Sequence, residues 1–244
     1  MTRSTPQRLS STAENHQVSL NTVEPPERLW RIGRQTNPLW FNGPVGAENI
    51  RSDTAGNRFD LLTSPIGTLY AASSAEDAYA EALIDLAPDK DAGHLLPDDD
   101  SIGDGCVDAN WRAARRLCEI ELSESTQVPN LDFVDLADSH NLAELNRELG
   151  PALASLDVDR LNLSVVTSSR RSVTRWIAEF IVSQRDAVNR RRFAGIRYLS
   201  KHGANHECWA VFGGINFSAH STTEPQATDA DLRRIAKRYG LTVH

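Results

Sequence analysis

The 244-residue sequence predicts an α+β fold, because strand-like and helix-like segments follow one another without a regular strand–helix–strand alternation. Segment 116–125 has the period-2 pattern of a half-buried strand, with Cys118, Ile120 and Leu122 separated by glutamates. Segment 172–188 instead repeats large apolar residues at three- and four-residue spacing, which is typical of one helix face. Strands and helices are therefore both expected, in mixed order.

The other elements follow from similar local signals. We predict strands at 28–33, 67–73, 116–125, 193–200 and 208–217, and a short strand at the start of 130–149. Helices are predicted from residue 73 to about 86, in the second part of 130–149 ending near Gly150-Pro151, at 172–188 and at 228–240. The last has acidic residues in its first turn, basic residues in its last turn and Gly240 at its end, as helix termini favour.

The helix that begins near residue 73 carries a carboxylate outside its apolar stripe. Ser73 and Glu76 have the spacing of a capping box. The apolar stripe that follows predicts the buried face; it comprises Ala75, Ala78, Tyr79, Ala82, Leu83 and Leu86. Glu81 lies just beside this stripe, so it is either a solvated surface residue or part of a site.

Composition limits the possible functions. The formal net charge of −7 argues against nucleic acid as a direct partner, since phosphate binding needs a basic surface. Three widely spaced cysteines fit a reducing compartment better than a disulfide framework. Neither a membrane-spanning run nor a signal peptide is evident, so we predict a cytoplasmic protein with no membrane partner.

Three regions are predicted along the chain. Residues 1–26 are polar, end in a double proline and are expected to form a flexible leader. Residues 27–217 are expected to form the main domain, which an acidic, loop-like insertion at 87–110 interrupts. Residues 218–244 are expected to form a tail with the terminal helix.

A metal site is the first functional possibility that the sequence raises. His202, His206 and Cys208 lie close together, and histidines four residues apart on a helix can hold a metal. This stretch contains glycine and lies between two predicted strands, however, so a loop is the better interpretation and we predict no metal.

A dispersed set of polar residues on or beside predicted strands carries a more specific signal. Its members are Arg31, Arg58, Tyr70, Glu81 and Ser200. Each has an ordinary structural interpretation when it is considered alone. Together, the order LWRIG, GNRFD, TLYAASSAEDAYAEAL and GIRYLS…CWAVF resembles the RES domain family, whose name records its Arg, Glu and Ser. The resemblance covers roughly residues 28–217.

The resemblance is most specific in the stretch that places Tyr70 and Glu81 at the family's relative spacing. Arg31 matches the family's first-strand arginine, Arg58 its second arginine and Ser200 its late serine. One departure is that many members have Gly-Arg-Trp-Asn where this chain has Asn57-Arg58-Phe59-Asp60. The arginine–aromatic pair persists, so the resemblance implies that the site is retained.

The resemblance implies a toxin of a bacterial toxin–antitoxin pair that breaks down NAD as its substrate. It further implies a core of small mixed β-sheets flanked by helices, similar to that of ADP-ribosylating toxins. The implied catalytic residues are Glu81, Arg31 and Ser200. The implied NAD-binding residues are Arg31, Arg58, Tyr70 and Ser200.

In the implied roles, the arginines bind the pyrophosphate, Tyr70 stacks on nicotinamide, Glu81 stabilises an oxocarbenium-like ribose and Ser200 orients nicotinamide or ribose. No cofactor is implied, although inorganic phosphate can replace water as acceptor, which makes the enzyme a phosphorylase instead of a glycohydrolase. The implied partner is an antitoxin with an Xre-like helix-turn-helix domain, in a homodimer or a larger toxin–antitoxin assembly.

Three alternatives remain open. A protein ADP-ribosyltransferase would use the same site with a protein as acceptor. A RES-like module that has lost catalysis would only bind a partner. A hydrolase built around His202 and His206 would depend on a metal.

Overall fold

The computed structural model describes residues 18–87, 105–200 and 206–244, and in them strands and helices are mixed. The strands are β1 (Thr22–Val23), β2 (Leu29–Arg34), β3 (Thr68–Ala72), β4 (Cys106–Val107), β5 (Arg115–Ser123), β6 (Phe133–Asp135), β7 (Gly195–Leu199), β8 (Glu207–Phe212), β9 (Asn216–Thr223) and β10 (Thr242–Val243). The helices are α1 (Ala75–Leu83), α2 (Ala109–Ala113), α3 (Ser139–Ala154), α4 (Leu163–Thr167), α5 (Arg171–Ser183) and α6 (Ala230–Tyr239). The α+β prediction is confirmed.

Most strands join one eight-stranded mixed sheet with the order β1-β6-β7-β8-β3-β2-β5-β9, while β4 and β10 form a parallel pair. Neighbours in the large sheet are antiparallel except β6 and β7. Helices α3, α4 and α5 lie in the connection between these two parallel strands. A parallel pair needs such a crossover, because a tight turn cannot join the ends of parallel strands.

The sheet diverges at its centre, between β2 and β3. These strands share a single residue pair, Trp30 with Ala72, whereas β2 is paired with β5 along its whole length from Leu29 to Arg34. On its other side β3 is fully paired with β8. The divergence leaves an opening in the middle of the sheet, flanked by continuous ladders.

Alternate residues of β8 separate two apolar clusters, as the period-2 geometry of a strand requires. Cys208, Ala210 and Phe212 pack with the crossover helices, whereas Trp209 and Val211 pack with β2 and β5 residues on the opposite face. A third cluster lies between α1 and α6. The sheet is therefore buried on both faces around its central strands.

Helix α1 begins one residue later than the capping pattern predicted. The cap is Ser74, whose hydroxyl accepts a hydrogen bond from the Asp77 amide at 3.1 Å. Ser73 is used elsewhere, since its hydroxyl donates to Glu207 and accepts from the Trp209 indole at 2.8 Å. Tertiary contacts decided between two adjacent serines that local sequence treats alike.

Helix α3 continues through Gly150 and Pro151 to Ala154, so the predicted stop near these residues was wrong. Proline removes one amide donor from the helix ladder. Leu149 and Leu153 extend the buried stripe of α3 past this point. Burial of that stripe outweighs the local preference to end the helix.

The predicted strand at 208–217 is divided between β8 and β9. Gly213 separates them and packs so tightly that a Cβ atom would lie 2.0 Å from the carbonyl oxygen of Ile66. Gly214 follows with φ at 85°, a value that side-chain-bearing residues rarely adopt. The chain therefore turns here and returns as the edge strand beside β5.

The predicted leader and insertion lie only partly within the described residues. Residues 1–17 of the leader and 88–104 of the insertion are outside them. Val18 and Leu20 are buried, and β1 pairs with β6, so the end of the leader packs on the domain. No helix in the described residues is both long and apolar enough to cross a membrane.

Candidate active site

A cleft of about 360 Å³ opens where β2 and β3 diverge. Four of the five sequence-predicted site residues line it; these are Arg31, Arg58, Tyr70 and Glu81. The fifth, Ser200, is only 4% exposed and donates a hydrogen bond from its hydroxyl to Glu81. The structure therefore brings all five residues together, although they are far apart in the chain.

Glu81 projects from α1 beside the small residues Ala78 and Ala82, which also line the cleft. Tyr79 and Leu83 on the opposite face are fully buried against α6, which fixes the rotation of the helix. Burial of Tyr79 and Leu83 against α6 thus turns Glu81, on the other side of α1, towards the cleft.

The negative charge of Glu81 affects the pKa of the neighbouring Cys208 thiol. Burial raises the pKa of the Cys208 thiol well above its usual range, and the charge of Glu81 raises that pKa further. Cys208 is therefore a neutral, buried neighbour of Glu81. Among the described residues, Glu81 is the cleft carboxylate that accepts the Ser200 hydroxyl.

Arg31 spans the gap between the diverging strands. Its Nε donates to the Pro38 carbonyl at 2.9 Å and its Nη1 donates to the Tyr70 carbonyl at 2.6 Å. Burial lowers the pKa of the Arg31 guanidinium, but an arginine in a protein keeps its proton at neutral pH. Arg31 is thus a fixed positive charge at the point where the sheet opens.

Arg58 presents hydrogen-bond donors that the described residues do not satisfy. Its Nη2 donates to the Val166 carbonyl, and its guanidinium lies 5.3 Å from the ring centre of Phe59 and 5.0 Å from that of Tyr198. Its Nε and Nη1 are buried and have no hydrogen-bond partner among the described residues. Unsatisfied buried donors are rare in proteins, so this guanidinium is suited to an anionic ligand.

The Tyr70 hydroxyl is fully occupied within the protein. It donates to Asp60 Oδ1 at 2.9 Å and accepts from the Phe59 amide at 2.9 Å. Burial raises the pKa of the Tyr70 phenol well above its usual range, and the Asp60 carboxylate raises that pKa further. Tyr70 thus lines the cleft, while its hydroxyl holds the turn that carries Arg58.

Asp60 stands where the sequence departs from the pattern of similar proteins, and it has a clear structural role. Its Oδ2 accepts from the Asn57 amide at 2.6 Å, while its Oδ1 accepts from Tyr70. A carboxylate can accept both bonds at once. The departure at this position is thus compatible with the arrangement of Arg58.

A family model described as the RES domain matches residues 28–234 of the chain. The chain belongs to the RES domain family. RES domains are found in the toxins of toxin–antitoxin systems. A search of the curated proteins found no match.

The cleft of this RES domain is also lined by polar residues that were not predicted from the sequence. They are Asn42 and Asn57 from the loop before β3, Ser169 and Arg171 from the start of α5, and Asp85 after α1. Arg171 Nη1 donates to the carbonyls of Thr54 at 2.9 Å and Gly56 at 2.6 Å. The run of serine and arginine just before an apolar helix is the signal that could have identified Ser169 and Arg171.

Helix α5 fixes the loop that carries Arg58. Arg175 is fully buried and donates to the carbonyls of Ser52 at 2.8 Å and Asn57 at 3.3 Å. Thr174 donates to the Arg58 carbonyl itself. The position of Arg58 in the cleft is thus imposed from a helix more than a hundred residues later in the chain.

Other charged groups of this RES domain are committed to structural contacts. Arg197 pairs with Asp135 at 3.0 Å and with Glu207 through Nε at 2.7 Å, so its guanidinium is not available to a phosphate. His206 is held by Asp77 and Arg238. His202, the other histidine of the possible metal site, lies outside the described residues, and within those residues no cluster of three or more metal-ligand side chains occurs.

Proposed function

We propose that this RES domain protein is the toxin of a toxin–antitoxin pair and that it cleaves NAD at the nicotinamide–ribose bond. One observation carries the proposal: a single cleft contains the Glu81 carboxylate, the Arg31 and Arg58 guanidiniums and the Tyr70 ring. This combination of charges suits an anionic dinucleotide whose ribose becomes cationic as neutral nicotinamide leaves.

The arginines suit the pyrophosphate of NAD. Each has one side of its guanidinium fixed to a backbone carbonyl, Arg31 to Tyr70 and Arg58 to Val166. A guanidinium that is held in this way loses little rotamer freedom when it binds phosphate oxygens, and it binds them through charge-assisted hydrogen bonds.

Glu81 suits the ribose end of the substrate. Cleavage of the nicotinamide–ribose bond generates positive charge on the ribose, as in glycoside hydrolysis. A carboxylate fixed beside that ribose stabilises the transition state more than the ground state. Ser200 acts through Glu81, because its hydroxyl donates to this carboxylate and thereby orients it.

Two acceptors fit the proposal. Water attacking the ribose C1″ atom releases nicotinamide and gives ADP-ribose and a proton. Inorganic phosphate attacking the same atom releases nicotinamide and gives ADP-ribose 1″-phosphate. Both reactions require the same stabilisation of the ribose by Glu81.

The proposal also includes a partner protein that inhibits the enzyme. An enzyme that consumes NAD in its own cell must be controlled, either by a partner that covers the cleft or by tightly limited expression. We propose the partner, an antitoxin with an Xre-like domain that covers the cleft in the cytoplasm. The exposed end of Arg171 and the guanidinium of Arg58 would attract an acidic or carboxylate-bearing segment of that partner.

The decisive experiment incubates the purified protein with NAD, with and without inorganic phosphate, and identifies the products by mass spectrometry. Nicotinamide together with ADP-ribose or its 1″-phosphate is expected from the wild type, and both are expected to form at rates lower by about a hundredfold or more with Glu81→Gln. Glu124→Gln is the matched control, since Glu124 is exposed and does not line the cleft. ADP-ribose attached to protein would establish the transferase instead, and intact NAD would leave a binding module.

A further inference from the structure

Helix α1 makes two separate contacts with the end of the β7–β8 hairpin. Asp77 and Glu81 are four residues apart on α1, so they lie on the same side of the helix. Asp77 Oδ1 lies 2.6 Å from His206 Nδ1, and Glu81 accepts the Ser200 hydroxyl. The first contact lies outside the cleft, whereas the second includes the cleft carboxylate.

Both contacts end on the same antiparallel ladder, that of β7 and β8. Ser200 follows β7, His206 precedes β8, and the Ser200 amide donates to the His206 carbonyl at 2.9 Å. The ladder continues from there through the pairs of Leu199 with Glu207 and Tyr198 with Cys208. A displacement of His206 relative to α1 would therefore also displace Ser200.

The hydrogen-bond partners of His206 define its tautomer. Its Nε2 lies 2.8 Å from Arg238 Nη1, and arginine can only donate, so Nε2 accepts this bond. The proton is consequently on Nδ1, which donates to Asp77. His206 is 6% exposed, so water cannot easily replace either partner.

Arg238 connects this arrangement with the C-terminal helix. Its Nη2 lies 3.1 Å from Glu76 Oε1 on α1, next to the Asp77 that His206 contacts. Arg238 lies beyond residue 234, where the match to the RES domain ends. The contact therefore joins α1 and the hairpin, which lie within the matched segment, to Arg238 of α6, which lies outside it.

We propose that His206 is a positioning residue: its Nδ1 hydrogen bond to Asp77 sets the distance between α1 and the hairpin at which Ser200 orients the Glu81 carboxylate. The inference rests on the proposed NAD cleavage for its kinetic test only. The hydrogen bond from Arg238 orients the imidazole ring, and the hydrogen bond to Asp77 fixes the position of α1. Active-site groups need such support, because a misplacement of about 1 Å can cost about a hundredfold in rate.

Two substitutions of His206 each remove one of its two hydrogen bonds and keep the other. In His206→Asn the amide nitrogen occupies the place of Nδ1 and retains a donor for Asp77, but the contact with Arg238 is lost. In His206→Gln the amide group reaches the place of Nε2 and retains an acceptor for Arg238, but the donor for Asp77 is lost. Both variants are neutral and polar, so they form a matched pair.

His206→Gln is expected to lower kcat for NAD cleavage by roughly ten- to a hundredfold, with KM for NAD unchanged within about threefold. His206→Asn is expected to keep kcat within about fivefold of wild type. A purely structural role would instead affect both variants in proportion to their loss of thermal stability. Equal losses of kcat in the two variants, or wild-type kcat in His206→Gln, would overturn the proposal.

Asp77 provides the test if the histidine variants do not fold. Asp77→Asn keeps an oxygen that accepts from Nδ1 and should retain kcat, whereas Asp77→Leu should lower kcat as His206→Gln does. Crystal structures of the variants give a readout without activity, since the Ser200–Glu81 hydrogen bond should be absent in Asp77→Leu and present in Asp77→Asn. If the wild type leaves NAD intact, the proposed function fails, while this structural comparison still supports or refutes the positioning role.

Discussion

Glu81 on α1 accepts a hydrogen bond from the Ser200 hydroxyl at the end of β7, across a separation of 119 residues in the chain. The bond connects a cleft carboxylate to a buried residue that does not line the cleft itself. In the proposed function the two residues have different tasks, since Glu81 lines the cleft and Ser200 orients Glu81.

Glu81→Gln should lower kcat for NAD cleavage by about a hundredfold or more, because the amide keeps the shape of the side chain but not its charge. NAD affinity should change little, since the arginines supply most of the binding. Steady-state kinetics and calorimetric titration measure the two quantities. A folded variant with nearly wild-type turnover would exclude Glu81 as the catalytic residue.

Ser200→Ala should lower kcat less than Glu81→Gln does, because the carboxylate remains but loses the donor that orients it. We expect a decrease of roughly tenfold, which corresponds to about 1.4 kcal/mol of transition-state stabilisation. The double variant Ser200→Ala/Glu81→Gln should be no slower than Glu81→Gln alone. Additive losses in that double variant would show that Ser200 acts on the substrate independently.

Arg58→Lys should raise the Kd for NAD by roughly ten- to a hundredfold, because losing a charge-assisted hydrogen bond costs about 1.5–3 kcal/mol. The Arg58 Nε and Nη1 donors have no counterpart in lysine. Arg34→Lys is the control, since Arg34 is an exposed arginine of β2 that does not line the cleft. Unchanged NAD affinity in Arg58→Lys would place the pyrophosphate elsewhere.

Tyr70→Phe should reduce stability more than catalysis. The substitution removes the acceptor of the Phe59 amide and the donor to Asp60, which we expect to cost about 1–3 kcal/mol in the free energy of unfolding. The aromatic ring remains in the cleft, so kcat should stay within about threefold of wild type. Urea unfolding and kinetics measure the two effects, and a large loss of kcat at unchanged stability would give the hydroxyl a catalytic task.

Expression of the protein without its partner should arrest growth and deplete cellular NAD. Glu81→Ala should abolish both effects, and co-expression of the proposed antitoxin, which we expect an adjacent small gene to encode, should restore growth by forming a complex that covers the cleft. Cell counts and NAD measurements check this expectation. Strong expression with constant NAD would refute the toxin proposal.

The sequence predicted most of the secondary structure because local patterns determine it. The alternation around Cys118 identified β5, and the apolar spacing around Ile177 identified α5. Predictions changed where distant contacts outweighed local preferences. Leu153 extends α3 past Pro151, and contacts with Glu207 leave Ser74 instead of Ser73 as the cap of α1.

The sequence by itself also predicted the five residues of the candidate site, because their order resembles that of RES domains, and the structure brings these residues together. Sequence order could not determine how they are connected. Tertiary structure alone placed Ser200 behind Glu81, committed the Tyr70 hydroxyl to Asp60 and brought Arg171 to the cleft from α5. The physical reason is that side-chain hydrogen bonds depend on distances between elements, and only the packing of α1, α5 and the diverging sheet sets those distances.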